Sequence, residues 1–390
     1  MKRRRFLMAS GTAITATMLF GVASMAEKET DAGAKDARSR RPDPDKFDVP
    51  ILKALAFGLN APNPHNTQAW KFKLINETEA LFFVDEERLL PATDPIARQI
   101  HVGCGGFIAL FEVGASSFGY RAKVEYLPEG DYGFADIGKK PVARLSLQRG
   151  DIGKDALSKE IFTRQTIRTI YHGDLVTDDE FKKVIKLTKP EYATIELFND
   201  PQSLPSVLEL LYKGMEVECN DWNVFEESRK WFRVKGDIAV KKDGINLRTG
   251  GTEPGFNLWL TETLLQVDSK KLWHSEYAIK GVLKGHYEKV MSSKGVVIFK
   301  TDSNNLIDWI KCGQDYVRFQ LAAYNQGFCL NPLSQVLQEY PSMATLYNQF
   351  NQMMEVEEPA KIQMAVRIGR SNPLEYSYRR NPNKSMTTNL

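Results

Sequence analysis

The sequence predicts an α+β protein made of two diverged repeats, with mixed or antiparallel sheets flanked by helices. Two long segments with helical spacing of apolar residues, 96–118 and 306–326, each precede strand-like segments. The order of elements in the second half therefore repeats that of the first, with insertions. Small residues recur along the first long helix, which lets another helix approach it closely. We expect the two long helices to pack against each other.

The first repeat is expected at 48–150. Apolar residues at helical spacing predict a helix over 49–59, and the Pro- and Asn-rich stretch after it ends that helix. Asp94-Pro95 marks the start of the long helix. Four short apolar runs predict strands at 71–75, 80–84, 122–127 and 142–147.

The second repeat is expected at 151–390, and its long helix is expected to end at Gly327. Amphipathic spacing predicts helices near 152–162, 178–187 and 205–215. β-Branched and apolar runs predict strands at 194–198, 296–300 and 362–368.

An aromatic-rich insertion at 221–262 interrupts the second repeat and holds three tryptophans and three phenylalanines. One interpretation is a set of surface helices with a small core of their own. The other is an aromatic cover over a ligand. Composition favours the first interpretation, because aromatic side chains most often lie in cores.

Charge and cysteine content exclude several classes of function. The net charge is +3, and residues 2–5 alone supply +4, so the remainder carries −1. Nothing in this balance indicates nucleic acid or an anionic membrane as a partner. The four cysteines are widely spaced, with no Cys-x-x-Cys pair, and the five histidines are scattered. We predict no metal site.

The first 26 residues have the pattern of an export signal. Arg3-Arg4-x-Phe6-Leu7 resembles the twin-arginine core, a weakly apolar run follows, and Ser24-Met25-Ala26 suits a signal peptidase. A general-secretion signal and an uncleaved anchor are the alternatives. Twin-arginine export carries folded proteins, often with a bound cofactor, so we expect a periplasmic or other extracytoplasmic protein. Residues 27–47 are charged and lack apolar periodicity, which predicts a disordered linker.

Three segments carry residues suited to binding a ligand. The first is the turn 61–70, where Pro62 is followed by the amide side chains of Asn63, Asn66 and Gln68. Such groups suit the edge of a planar heterocycle, although a plain capping turn would look the same.

The second segment is Arg164-Gln165-Thr166-Ile167-Arg168. If it is extended, Arg164, Thr166 and Arg168 share one face. Two guanidinium groups beside a hydroxyl form a good phosphate clamp. If the segment is helical, Thr166 points away from both arginines.

The third segment follows the second long helix at 327–335. Pro332 prevents the helix from continuing, so we expect a loop. Free backbone amides at Leu333, Ser334 and Gln335 could then donate to a ligand.

Together these segments resemble the nitroreductase family, and more narrowly its Acg-type branch. The resemblance covers about residues 48–382 and includes the sequence Asp94-Pro95-Ile96-Ala97-Arg98-Gln99. It implies a nitroreductase-like fold and an FMN cofactor. By the family pattern, 164–168 grips the phosphate, 62–70 is the loop that a dimer mate donates, and 332–335 reaches flavin N5. Basic residues near the C-terminus, here Arg379 and Arg380, add phosphate contacts.

The order of the segments departs from the family, where the Arg segment comes first. Here the loop lies in the first repeat and the Arg segment opens the second, so one chain is expected to form a pseudo-dimer with one FMN. Asn63, Ala69 and Thr166 stand where the family often has Ser, Pro and Ser.

Two functions are implied by this resemblance. The first is an FMN-dependent oxidoreductase with a small-molecule electron donor and a nitro, quinone or similar acceptor. The alternative is a protein that binds and sequesters FMN under a lid formed by 221–262. Neither implies nucleic acid or stable membrane insertion of the mature chain.

Overall fold

A computed structural model describes residues 40–252 and 255–386. The predicted signal peptide, and residues 27–39 of the predicted linker, lie outside the described residues. Within the part that is described, no helix is long and apolar enough to cross a membrane.

Each half of the chain contains one antiparallel four-stranded sheet. In the first sheet the order is β1-β2-β4-β3, and in the second it is β5-β6-β8-β7. The first-sheet strands are β1 Trp70–Asn76, β2 Glu79–Val84, β3 Tyr120–Tyr126 and β4 Ala143–Arg149. The second-sheet strands are β5 Thr194–Phe198, β6 Val296–Thr301, β7 Cys329–Pro332 and β8 Lys361–Gly369.

Eleven helices are found among the described residues. The first half contains α1 Pro50–Gly58 and α2 Arg98–Ser116. The second half begins with α3 Asp178–Thr188 and α4 Leu204–Asn220, and its long helix is α10 Leu306–Asn325. The others are α5 Trp222–Lys230, α6 Lys235–Lys241, α7 Phe256–Val267, α8 Ser269–Trp273, α9 Glu276–Met291 and α11 Ala344–Met353.

The two halves have the same topology. In each sheet the third strand in sequence lies at one edge beside the fourth, and the long helix connects the second strand to the third. This confirms the predicted α+β class, with antiparallel sheets flanked by helices, and it is consistent with two repeats in one chain.

The long helices α2 and α10 pack against each other, as expected, through a very close backbone contact. A Cβ atom added to Gly105 would lie 1.7 Å from the carbonyl oxygen of Ile310. In the opposite direction, a Cβ on Gly313 would lie 2.0 Å from the carbonyl oxygen of Val102. Only glycine allows two helices to approach this closely. The contact at Gly105 and Gly313 therefore determines how the two halves pack together.

Three expectations about local structure were wrong. Residues 152–162 are not a helix, because Asp155 instead begins a short 3-10 turn at Ala156–Glu160 by accepting from the Leu157 amide. Residues 329–332 are a strand rather than loop, because they pair with β8. Residues 40–47 are not a disordered linker, since Arg41 and Pro44 are buried and a 3-10 turn spans Pro44–Lys46.

Candidate functional site

The turn after α1 has an unusual backbone conformation. His65, Asn66 and Gln68 have φ values of 48°, 52° and 52°. This left-handed region is unfavourable for residues with a Cβ, least so for Asn. Three such residues within four positions persist only where surrounding contacts hold them, and strain of this kind is concentrated at functional sites.

Hydrogen bonds within the turn and to two other parts of the chain hold it in place. Asn63 Oδ1 accepts from the Gln68 amide at 2.8 Å, within the turn itself. Gln68 Nε2 donates to the carbonyl of Lys242 at 2.9 Å, and its Oε1 accepts from the Arg380 amide at 2.7 Å. Asn66 Nδ2 donates to the carbonyl of Gly244 at 3.1 Å. The turn is therefore fixed against the second half of the chain.

The segment 164–168 is extended, as the predicted phosphate clamp requires. Thr166 forms a parallel bridge with Leu330 of β7, and the Ile167 amide donates to the Leu330 carbonyl at 3.1 Å. Arg164, Thr166 and Arg168 all line one cleft, and so does Gln165 between them.

This cleft lies between the two halves of the chain and has about 520 Å³ of space, part of it open to solvent. Water-sized molecules can enter about 60 Å³ of this space, which is less than the volume of a typical small-molecule site. The lining comes from the N-terminal segment, the turn, the Arg segment, the insertion and the C-terminal segment. Its residues are Arg41, Pro62, Asn63, Asn66, Arg164, Gln165, Thr166, Arg168, Gly244, Ile245, Thr249, Glu375, Ser377 and Arg379.

Four arginines converge in the cleft: Arg41, Arg164, Arg168 and Arg379. Arg164, Arg41 and Arg379 are only 1%, 5% and 6% exposed. The Nε atoms of these three are buried without a hydrogen-bond partner. Donors left unpaired in this way favour a ligand that supplies acceptor oxygens.

The pKa values of these arginines reflect burial and mutual repulsion. Burial, and then the charge of Arg164, lower the pKa of Arg41 to about 9. Burial also lowers the pKa of Arg164 to about 10, with Arg168 contributing. The pKa of Arg379 is lowered well below its usual value, by burial and by the other three arginines. The cluster is thus an electropositive site that an anion would stabilise.

The cleft supplies little negative charge of its own. Of the described residues that line it, Glu375 is the one with a carboxylate. Its oxygens already pair with Arg40 at 2.9 Å and with Arg248 at 3.2 Å. None of the four guanidinium groups in the cleft is paired with a carboxylate of a described residue. Their charge is therefore suited to a phosphate dianion, which accepts several charge-assisted hydrogen bonds.

The insertion covers the cleft with small and aliphatic residues rather than aromatic rings. Gly244, Ile245 and Thr249 line the cleft. Phe225 and Phe232 instead contact Trp273, which follows the insertion, at 5.1 and 5.0 Å between ring centroids. Trp222 and Phe256 are exposed, so the interpretation as surface helices fits this segment, and a separate core formed by all six aromatic residues does not.

Six of the predicted binding residues do not line the cleft. Gln68 and Arg380 bind each other, and Arg380 also donates to the carbonyl of Lys384 at 2.7 Å. The Leu333 amide donates to the Ala365 carbonyl at 2.8 Å, so the expectation of a free amide there was wrong. The six are Gln68, Pro332, Leu333, Ser334, Gln335 and Arg380.

Sequence reasoning missed Arg41 because it lies in a polar stretch without apolar periodicity. Its one signal was local: a Pro follows it, and another Pro comes two residues later, which limits the chain to extended and turn conformations. That pattern predicts a docked segment less strongly than an apolar stripe would.

Comparison with known proteins points to nitroreductases. The chain is 37% identical over 78 residues to the "Putative NAD(P)H nitroreductase acg" of Mycobacterium tuberculosis, a match that covers 20% of this chain and 23% of that protein. It is 30% identical over 123 residues to the "Putative NAD(P)H nitroreductase Rv3131" of the same organism, covering 31% of this chain and 34% of that protein. The matched region thus spans about a quarter to a third of these relatives. No protein-family model matches the chain.

The similar solved structures are distant in sequence. The FMN-dependent nitroreductase NfnB from Mycobacterium smegmatis, solved in complex with NADPH, is 13% identical, with a TM-score of 0.33. That alignment covers 55% of this chain and 88% of the other. A nitroreductase with bound FMN from Bacteroides fragilis is 12% identical, with a TM-score of 0.31 over 56% of this chain and 89% of the other.

Proposed function

We propose that this chain is an FMN-binding oxidoreductase similar to the nitroreductases. The observation that carries the proposal is the cluster of Arg41, Arg164, Arg168 and Arg379, which lies in the cleft beside the strained turn. The cluster has the charge and the unpaired donors that a phosphate monoester requires. Similarity to the two mycobacterial proteins supports the same family.

The cleft residues divide into two groups by chemistry. The arginines and Thr166 would hold the phosphate and the polar chain next to it. Asn63 and Asn66, on the turn from the first half, would face the rest of the ligand, and the buried Asn66 Oδ1 has no hydrogen-bond partner. When bound, a flavin accepts two electrons from a donor and passes them to an acceptor.

The way the halves meet explains how one chain could form a complete site. Arg164 Nη2 donates to the carbonyl of Asn60 at 2.8 Å, and Arg379 Nη2 donates to that of Ala61 at 3.3 Å. The second half thus holds the turn of the first, as two subunits of a dimer would. We infer a pseudo-dimer with one FMN, because a matching Arg-x-Thr-x-Arg segment does not precede Pro62.

Sequestration of FMN is the second candidate function, and the closed insertion favours it. Besides the bonds from the turn, Glu227 accepts from both the amide and the hydroxyl of Thr93, at 2.8 and 2.7 Å. Arg88 pairs with Asp243 at 2.9 Å. A cover fixed at this many points would restrict access of a donor or acceptor to the flavin.

Stopped-flow reduction of the purified holoprotein separates the two candidates. NADPH and a small artificial reductant are mixed with it in turn, followed by a quinone or nitroaromatic acceptor. An oxidoreductase should be reduced by a donor and reoxidised by an acceptor within seconds. A sequestering protein would react slowly with all of them, and a folded protein that does not bind FMN would overturn both candidates.

Export is a separate proposal, and it rests on residues 1–26. The twin-arginine pattern suits a protein that acquires FMN in the cytoplasm and then crosses the membrane folded. We propose an extracytoplasmic location, where nicotinamide cofactors are scarce, so the physiological donor there would be another reductant.

A further inference from the structure

Residues 40–47, here called the N-terminal strap, pack against both the Arg segment and the C-terminal segment. Arg40 pairs with Glu375 and donates to the carbonyl of Tyr376 at 3.0 Å. The Arg379 amide donates to the carbonyl of Arg40 at 3.0 Å. These contacts bring the next residue, Arg41, into the cleft, more than 120 positions away in sequence from the Arg segment.

The guanidinium group of Arg41 makes only weak contacts with the rest of the protein. Its Nη1 lies 3.4 Å from the carbonyl oxygens of Phe162 and Arg164, which is long for a hydrogen bond. Its guanidinium stacks 5.0 Å from the centroid of the Tyr376 ring. Its Nε has no hydrogen-bond partner, and Arg164 and Arg379 repel it. A buried cation held this loosely costs free energy unless a ligand compensates it.

We propose that Arg41 is a phosphate-binding residue, and that the N-terminal strap closes the phosphate end of the cleft and selects flavins that end in a phosphate monoester. This rests on the proposed FMN site. Arg41, Arg164 and Arg379 are almost fully buried, so little room lies beyond the phosphate. Riboflavin lacks the dianion that the arginines bind, and the adenylate of FAD would have to displace the strap.

The proposal also couples ligand binding to docking of the strap. If the phosphate attracts Arg41 inward, then FMN stabilises the docked strap, and a docked strap raises affinity for FMN by the same factor. Riboflavin should leave the strap unaffected. A purely structural arginine would show no such dependence on the phosphate.

The first test compares the apoprotein with Arg41→Met, which keeps the length of the side chain and removes its charge. Titration followed by flavin fluorescence gives the dissociation constants of FMN, riboflavin and FAD. Arg41→Met should lower the affinity for FMN roughly ten- to a hundred-fold and change the affinity for riboflavin by no more than about two-fold. The melting temperature of the apoprotein should stay the same or rise, because one buried like charge is removed. FAD should bind the parent more weakly than FMN.

The matched control is Arg318→Met, which removes an arginine outside the cleft that pairs with Asp155 at 2.9 Å. It should lower the melting temperature and leave both flavin affinities unchanged. Arg41→Lys should restore part of the lost FMN affinity. If Arg41→Met lowers affinity for FMN and riboflavin equally, or for neither, the inference is wrong.

A second test needs no variant. Trypsin cleavage after Lys46, within the N-terminal strap, is followed in the apoprotein with saturating FMN or riboflavin. FMN should slow this cleavage and riboflavin should not, whereas equal rates would overturn the coupling. If the protein binds FMN and Arg168→Ala weakens that binding, but neither test above gives its expected result, then only the inference about Arg41 and the strap is wrong. If the folded protein binds no FMN, the proposed function is lost with it.

Discussion

At the scale of single residues, the charge of the cleft arginines determines what the site can hold. Arg168 is the half-buried member of the cluster, and its Nη1 donates to the carbonyl of Thr249 at 3.3 Å. Arg379 and Arg380 are neighbours in sequence, yet the first lines the cleft and the second binds the turn. A sequence pattern identifies basic residues but not which of two neighbours faces inward.

The Arg168→Ala variant tests the phosphate clamp. Loss of one charge-assisted contact should weaken the binding of FMN by about 1.5–3 kcal/mol, which raises the dissociation constant roughly ten- to a hundred-fold. Arg164→Ala should behave similarly. The measurement is equilibrium titration of the apoprotein, with circular dichroism to verify folding. Unchanged FMN affinity in folded Arg168→Ala would place the phosphate elsewhere.

A buried carboxylate outside the cleft should make stability depend on pH. Burial raises the pKa of Glu218 to about 7, although Ser228 donates to it at 2.8 Å. The folded state therefore keeps a proton on Glu218 at pH values where the unfolded state has lost it. Its contribution to stability is full below about pH 4.5 and is lost as the pH rises to about 7.

Glu218→Gln should remove this dependence, because an amide keeps the shape without ionising. Relative to the parent, the variant should gain on the order of 2 kcal/mol in stability between pH 5 and pH 8. Denaturant unfolding at both pH values measures this. The exposed Glu357→Gln serves as the control and should change stability little at either pH. A gain of the same size at pH 5 and pH 8 would exclude the explanation by ionisation.

At the scale of elements, the close contact between α2 and α10 determines how the halves meet. In Gly105→Ala the new methyl group would meet the carbonyl of Ile310, which is backbone and cannot rotate away. We expect destabilisation of about 3 kcal/mol or more, together with weaker FMN binding, since the cleft lies between the halves. Thermal unfolding and flavin titration measure the two effects.

Gly281→Ala is the matched control for that variant. Gly281 lies in α9, is exposed, and has open space around the added Cβ. Alanine there should stabilise the helix by about 0.5–1 kcal/mol. If Gly105→Ala were as well tolerated as Gly281→Ala, the close helix contact would not exist in solution.

The elements also show which features the sequence reveals. Apolar periodicity and small residues predicted α2 and α10 to within two residues at each end. Sequence analysis did not predict α9, although Ile279, Leu283 and Val290 have helical spacing, and of its sixteen residues only Val290 is buried. Strand β7 was missed because its partners, β8 and Thr166, are far away in sequence. The local sequence determines periodic elements, whereas pairing between distant segments depends on the whole fold.

At the scale of the whole molecule, identical strand order in both halves is consistent with two repeats in one chain, which the proposed pseudo-dimer requires. The cleft draws its lining from residues 41 to 379, so the complete chain must fold before the ligand can bind. This agrees with an export route that accepts folded, loaded proteins.

The export signal can be tested by replacing Arg3 and Arg4 together with Lys. Both are changed because Arg5 could form a shifted pair with Arg4. We expect the precursor to accumulate in the cytoplasm, still yellow and still carrying residues 1–26, as seen by fractionation and mass spectrometry. Export as efficient as that of the parent would assign the general secretion route instead.

The identity and number of bound flavins test the central proposal most directly. Acid precipitation of the purified full-length protein, followed by chromatography of the supernatant, measures what it releases. The arginine cluster that lines the cleft among the described residues predicts FMN at about one equivalent per chain, not covalently bound. Release of two equivalents, of FAD, or of no flavin from a folded protein that also fails to bind added FMN would contradict it.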